Sequence, residues 1–122
     1  MQKPLQSAAI ALVKLPVTDF ERARHFYRDV LGLSEDFAVE EYGWAQFATG
    51  SIPLCLFVSG KGGGDAAGGG DSGIQLRIAN AAIAYEQLAE FVEGDLEVGD
   101  DGSKSFLLRD PDGNGLQVLQ LA

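Results

Sequence analysis

With a single cysteine, Cys55, the chain has no means of forming an internal disulfide, which fits a reducing compartment. A single histidine, His25, leaves it short of the residue that most often serves as metal ligand or general base. Its nine Lys and Arg stand against eighteen Asp and Glu, a net charge of -9. Scattered bases in that minority do not make a phosphate-neutralising patch, so nucleic acid is excluded as a partner. No apolar run approaches the roughly 20 residues that span a bilayer, so no membrane partner is expected. The first thirteen residues also lack a signal-peptide core, and a cytoplasmic location is expected. What the chain does have is 46% hydrophobic residues over 122 positions, enough for one packed core in one domain.

The best-marked stretch is residues 13–33, VKLPVTDFERARHFYRDVLGL. Val13, Leu15 and Val17 share one face of an extended segment and Lys14 and Pro16 the other, the period of a strand covered on one side. Thr18 and Glu21 then have the spacing of a capping box. Ala23, Phe26, Tyr27, Val30 and Leu31 follow at helical spacing, and Gly32 offers the left-handed stop. This predicts a strand over 8–17 and a helix over 19–31. Further strands are expected at 34–41, 44–49 and 52–58. Residues 60–73, GKGGGDAAGGGDSG, hold eight of the sixteen glycines and read as a flexible linker. They lack the Gly-Lys-Ser/Thr ending of a phosphate-binding loop.

After the linker the pattern restarts. A strand is expected at 74–79, Asn80 is placed to cap a helix, and Ala84, Tyr85, Leu88, Phe91 and Val92 form an apolar stripe. Strands around Leu96, over 103–109 and over 115–121 complete a second unit. Val17, Asp19 and Ala23 correspond to Ile78, Asn80 and Ala84 at a constant shift of half the chain. The reading is α+β: two βαβββ modules, 1–59 and 73–122, joined by a Gly-rich linker over 60–72.

The strand Val17-Thr18-Asp19, the helix bearing Arg22-Ala23 and Phe26-Tyr27, and Leu31-Gly32-Leu33 together resemble the vicinal oxygen chelate superfamily, which includes glyoxalases, bleomycin-resistance proteins and extradiol dioxygenases. Residues 106–121, FLLRDPDGNGLQVLQL, resemble the last hairpin of these proteins. The resemblance implies the paired βαβββ fold, a curved mixed sheet around a cavity, and in the enzymes a divalent metal held by His, Gln or Glu from four strands. Carried over residue by residue, those positions are Leu12, Gly73, Cys55 and Gln117. Leu and Gly offer no ligand atom, and one thiol with one amide completes neither a zinc site nor a hard-cation site. No metal and no cofactor are therefore expected, and the chain is nearest in character to metal-free bleomycin-resistance-like members.

One face of each strand is plainly aliphatic, and the opposite faces are mixed. The mixed faces supply the expected ligand-binding residues: Leu12, Lys14, Trp44, Gln46, Cys55, Phe57, Gln75, Arg77, Gln117 and Leu119. Of the two aromatics on its strand, Phe47 is assigned to the core and Trp44 to the cavity, where its indole N–H can meet a ligand. Catalytic residues are not identifiable: His25 tilts off the apolar stripe, Cys55 reads as a small apolar filler, and Asp110 and Asp112 read as turn formers. Three functions stay open: a small-molecule binder, a metal-dependent lyase, isomerase or dioxygenase, and a subunit without ligand. Exposed sheet edges lead to the expectation of a homodimer.

Overall fold

Alternation of apolar residues builds the first strand, β1 (Val13–Val17), whose Leu15 and Val17 are buried. The computed structural model describes residues 3–122, and in it residues 8–12 are not strand, so β1 is shorter than the apolar pattern suggests. Helix α1 (Phe20–His25) follows. It is capped by Asp19, whose carboxylate accepts from Arg22 N–H at 3.1 Å. The capping box expected from Thr18 and Glu21 does not form. Thr18 turns its N–H and hydroxyl to Asp112 in the other module, and Glu21 pairs with Arg24 at 2.9 Å.

α1 runs into a wider π-helical turn, Phe26–Val30, closed by Leu31 N–H donating to the Phe26 carbonyl at 2.8 Å. Gly32, at φ +79°, ends it. Next come β2 (Ser34–Val39), a single 3₁₀ turn at Glu40–Tyr42 in place of the expected end of the strand, β3 (Trp44–Ala48) and β4 (Leu54–Val58). The sheet order is β1-β4-β3-β2, with β1 parallel to β4 and the other pairs antiparallel.

The second module repeats this plan with β5 (Asp71–Arg77), α2 (Ala81–Gln87), β6 (Val92–Val98), β7 (Lys104–Arg109) and β8 (Gly115–Gln120), in the order β5-β8-β7-β6. Asn80 caps α2 as expected, accepting from Ile83 N–H at 3.1 Å. α2 stops at Gln87, so Phe91 and Val92 do not belong to its stripe. Arg109 N–H takes the Phe91 carbonyl at 2.9 Å, and Val92 pairs with Leu108. Strand pairing thus wins this stretch over its helical spacing. The fold is two four-stranded mixed sheets rather than one continuous one, the βαβββ pairing that the repeat implied.

One buried cluster joins both modules, with Leu15, Val17, Leu54, Leu56 and Phe47 from the first sheet and Phe106, Leu108, Leu116 and Val118 from the second. Phe26 meets Phe91 edge to face at 5.0 Å across the boundary. A polar clasp completes the join. Tyr27 donates its hydroxyl to Asp110 Oδ2 at 2.7 Å, and Asn114 Nδ2 donates to that same oxygen and to the Pro16 carbonyl. Asp110 Oδ1 accepts the N–H groups of Asp112 and Asn114, both at 2.9 Å. Asp110 is therefore the turn former expected of it, but Asp112 works across the boundary, accepting from Thr18.

Candidate functional site: two mixed sheet faces

Strand register sets the first half of the candidate site. Lys14 pairs with Cys55 and Cys55 with Gln46, while Pro16 pairs with Phe57 and Phe57 with Trp44. Residues directly opposite share a face, so Lys14, Gln46, Cys55, Phe57 and Trp44 lie together on the side away from the core. Phe47 is fully buried in that core, which is the division of the two aromatics that their chemistry suggested. Cys55 Sγ donates to Gln46 Oε1 at 3.6 Å. Burial, reinforced by the charge of Asp36, pushes its thiol pKa up, so it is a poor nucleophile at neutral pH. Leu12 sits half-buried just ahead of β1.

The glycine-rich segment is not a free linker. β5 already begins at Asp71, and the residues before it dock on this same face. Lys14 Nζ lies 5.0 Å from the Phe57 ring centroid and donates to the Gly63 carbonyl at 2.6 Å. A methyl group at Gly63 would stand 2.8 Å from Trp44 Cε3, and one at Gly64 2.8 Å from Phe57 Cε2. Only a residue without a side chain brings backbone that close to the two rings. Further along, Gly69 N–H donates to Asn114 Oδ1 and Gly115 N–H to the Gly70 carbonyl, both at 2.9 Å.

The other half lies on the second sheet. Gln75 pairs with Gln117 and Arg77 with Leu119, and Gln75 Nε2 donates to Gln117 Oε1 at 2.8 Å. The fold therefore makes two clusters on separate sheets, and no hydrogen bond joins one to the other among the described residues. His25 is 65% exposed and faces Asp29 at 2.9 Å on the helix surface.

The positions at which the resemblance implies metal ligands do not fit a metal. Leu12 and Gly73 have no donor atom, the Cys55 thiol is buried and held protonated, and the Gln117 amide oxygen is taken by Gln75. Among the described residues no three His, Cys, Asp or Glu side chains come together as a possible metal cluster.

Two βαβββ units, each with a parallel β1–β4 type pair and one helix covering its aliphatic face, define a paired-module class of protein. Within it, the profile of the Glyoxalase/Bleomycin resistance protein/Dioxygenase superfamily matches residues 9–118, and the chain belongs to that superfamily. A superfamily member from Sphaerobacter thermophilus superposes with a TM-score of 0.80 at 22% identity, over 93% of this chain and 97% of that one. Lactoylglutathione lyase from Agrobacterium tumefaciens gives a TM-score of 0.74 at 26% identity over 93% of each chain. A glyoxalase-related enzyme from Fulvimarina pelagi gives 0.74 at 16%, over 92% of this chain and 87% of that one. None of the curated protein sequences matches.

Proposed function

We propose that the protein binds a small organic molecule on its mixed sheet faces without a metal, in the manner of a resistance or sequestration protein. The observation that carries this is the donor set. Two of the four positions at which the resemblance implies metal ligands are Leu12 and Gly73, while Trp44, Lys14 and the paired Gln75 and Gln117 supply the aromatic and polar groups of an organic-ligand site; Phe57 is buried under the Gly64 backbone and serves as its floor. A single protonated thiol and the absence of any helix long and apolar enough to cross a membrane among the described residues fit a cytoplasmic location.

The working unit in this reading is a homodimer. β1 and β5 are each paired on one side only, and pairing these edges between two copies would set the Lys14–Cys55 face beside the partner's equivalent of the Gln75–Gln117 face. Light scattering at micromolar concentration should give twice 12.9 kDa. A monomer mass rejects the dimer.

The second reading, a metal-dependent lyase, is favoured by the 26% identity to the Agrobacterium lactoylglutathione lyase. One experiment separates the two. Purified protein is analysed for divalent metal and titrated with planar aromatic compounds, following Trp44 emission with and without a chelator. Substoichiometric metal and quenching that the chelator leaves unchanged support the binder. Stoichiometric metal, or a response that the chelator abolishes, moves the protein to the enzymes.

A further inference from the structure

A cavity of about 730 Å³ lies between the modules, lined by aliphatic residues of both sheets and, along the edge strand β5, by Gln75 and Arg77 as well. Its wall is mostly apolar, with Val13 and Leu54 from the first module and Ile74, Leu76, Ala84 and Leu88 from the second, interrupted by Thr49, Ser51 and Gln75. The cause is an asymmetry of the repeat. α1 and its π turn offer six plus five residues to cover their sheet, whereas α2 offers seven. Leu15 and Val17 are consequently buried, while their counterparts Leu76 and Ile78 stay half-buried and line the opening. Ser72 and Arg77 also line it. Arg77 is exposed and makes no ion pair and no side-chain hydrogen bond among the described residues. By contrast Arg24, Arg28 and Arg109 are each held by acids.

We propose that this cavity is a second binding site, for a small amphipathic carboxylate, with its hydrocarbon part between the modules and its head group at Arg77. The volume falls within the roughly 300–1,000 Å³ typical of small-molecule sites, which combine an apolar wall with few polar anchors. An unpaired guanidinium lining a mostly apolar cavity selects an anion over a cation even in a chain of net charge -9. Distant surface charges are screened within about 8 Å at physiological salt. The site goes beyond the mixed-face reading: it shares Gln75 and Arg77 with the second sheet's mixed face, but its apolar wall is separate from Trp44 and Lys14.

Decanoate is the probe, with decanol as its neutral counterpart, measured by calorimetric titration and by intermolecular NOEs on the unmodified protein. The expected result is one decanoate per chain, with NOEs from its chain to the Leu76 and Leu88 methyls. Arg77→Gln should weaken decanoate about fivefold, the upper end for an exposed ion pair, and leave decanol unchanged. Ala84→Phe, checked for fold by circular dichroism, should abolish both. Non-saturable uptake overturns the proposal, and so do NOEs to Trp44, which would put decanoate on the mixed face. Binding seen only after dimer dissociation also overturns it, because a second copy would then be the occupant. Failure of the planar aromatics to quench Trp44, with decanoate still bound at Leu88, removes the mixed-face reading and leaves this one standing.

Discussion

Replacing Tyr27 by Phe tests the clasp that holds the two modules together. Tyr27 is fully buried and Asp110 is 5% exposed. The phenol is one of two donors to Asp110 Oδ2, the other being Asn114 Nδ2. Phe keeps the ring that packs edge to face on Phe26 at 5.2 Å, so the change removes one hydrogen bond to a buried charge and little else. Such a bond contributes about 1.5–3 kcal/mol. Unfolding entropy of about 2.1 cal/mol/K per residue over 122 residues gives roughly 0.26 kcal/mol/K. A loss of about 2 kcal/mol then lowers Tm by about 8 °C.

The same pair makes a pH prediction of definite sign. Burial, and then the charge of Asp110, hold the Tyr27 phenol well above its ordinary pKa. A group whose folded pKa is raised contributes its stability in full below the unfolded value, about 10 for Tyr, and loses it as the pH climbs past that value. The unfolded chain then releases a proton that the folded chain retains. Above about pH 10 the unaltered protein should lose roughly 1.4 kcal/mol per pH unit more than Tyr27→Phe does. Thermal unfolding by circular dichroism at neutral and alkaline pH measures both effects. A Tm for Tyr27→Phe indistinguishable from that of the parent, with parallel alkaline slopes, would refute the clasp.

Other residues make separate predictions. Gly63→Ala should lift the glycine segment from Trp44 and Phe57, given the 2.8 Å approach to Trp44 Cε3. Its readout is a red-shifted Trp44 emission and faster proteolysis within residues 60–70; unchanged emission contradicts the docking. Cys55, fully buried with a raised thiol pKa, should react with a disulfide reagent at least about a hundredfold more slowly in the folded protein than in urea, and comparable rates would place it at the surface. Asn114→Ala strips donors from Asp110 and the Pro16 carbonyl and an acceptor from Gly69 N–H. It should cost more than Tyr27→Phe, at least about 2 kcal/mol by urea denaturation, and a smaller loss would mean that water replaces it.

Much of this was legible in local pattern. Strand faces followed the alternation of Val13, Leu15 and Val17, and the helix cap at Asn80 followed from residue type. The shift that relates the modules recurs between Phe20 and Ala81, where the helices begin, and grows by one residue at the paired strands, where Leu15 pairs with Leu56 and Leu76 with Val118. These features depend on neighbours a few residues apart. Thr18 was misread because its partner, Asp112, is 94 residues away, and the glycine segment because nothing in a run of glycines names the rings it will lie against.

The amino-acid sequence by itself determined the two βαβββ modules, the aliphatic and mixed faces of their strands, and the lack of ligand atoms at Leu12 and Gly73, since each depends on residue type and short-range period. Tertiary structure alone decided the rest. Pairing of Val92 with Leu108 ended α2 early, and the short helix left an apolar cavity beside Arg77. Two separate sheets divided the mixed-face residues into two clusters. Each outcome is a competition between local preference and contacts distant in sequence, and the distant contacts won wherever a buried donor or an uncovered apolar surface had to find a partner.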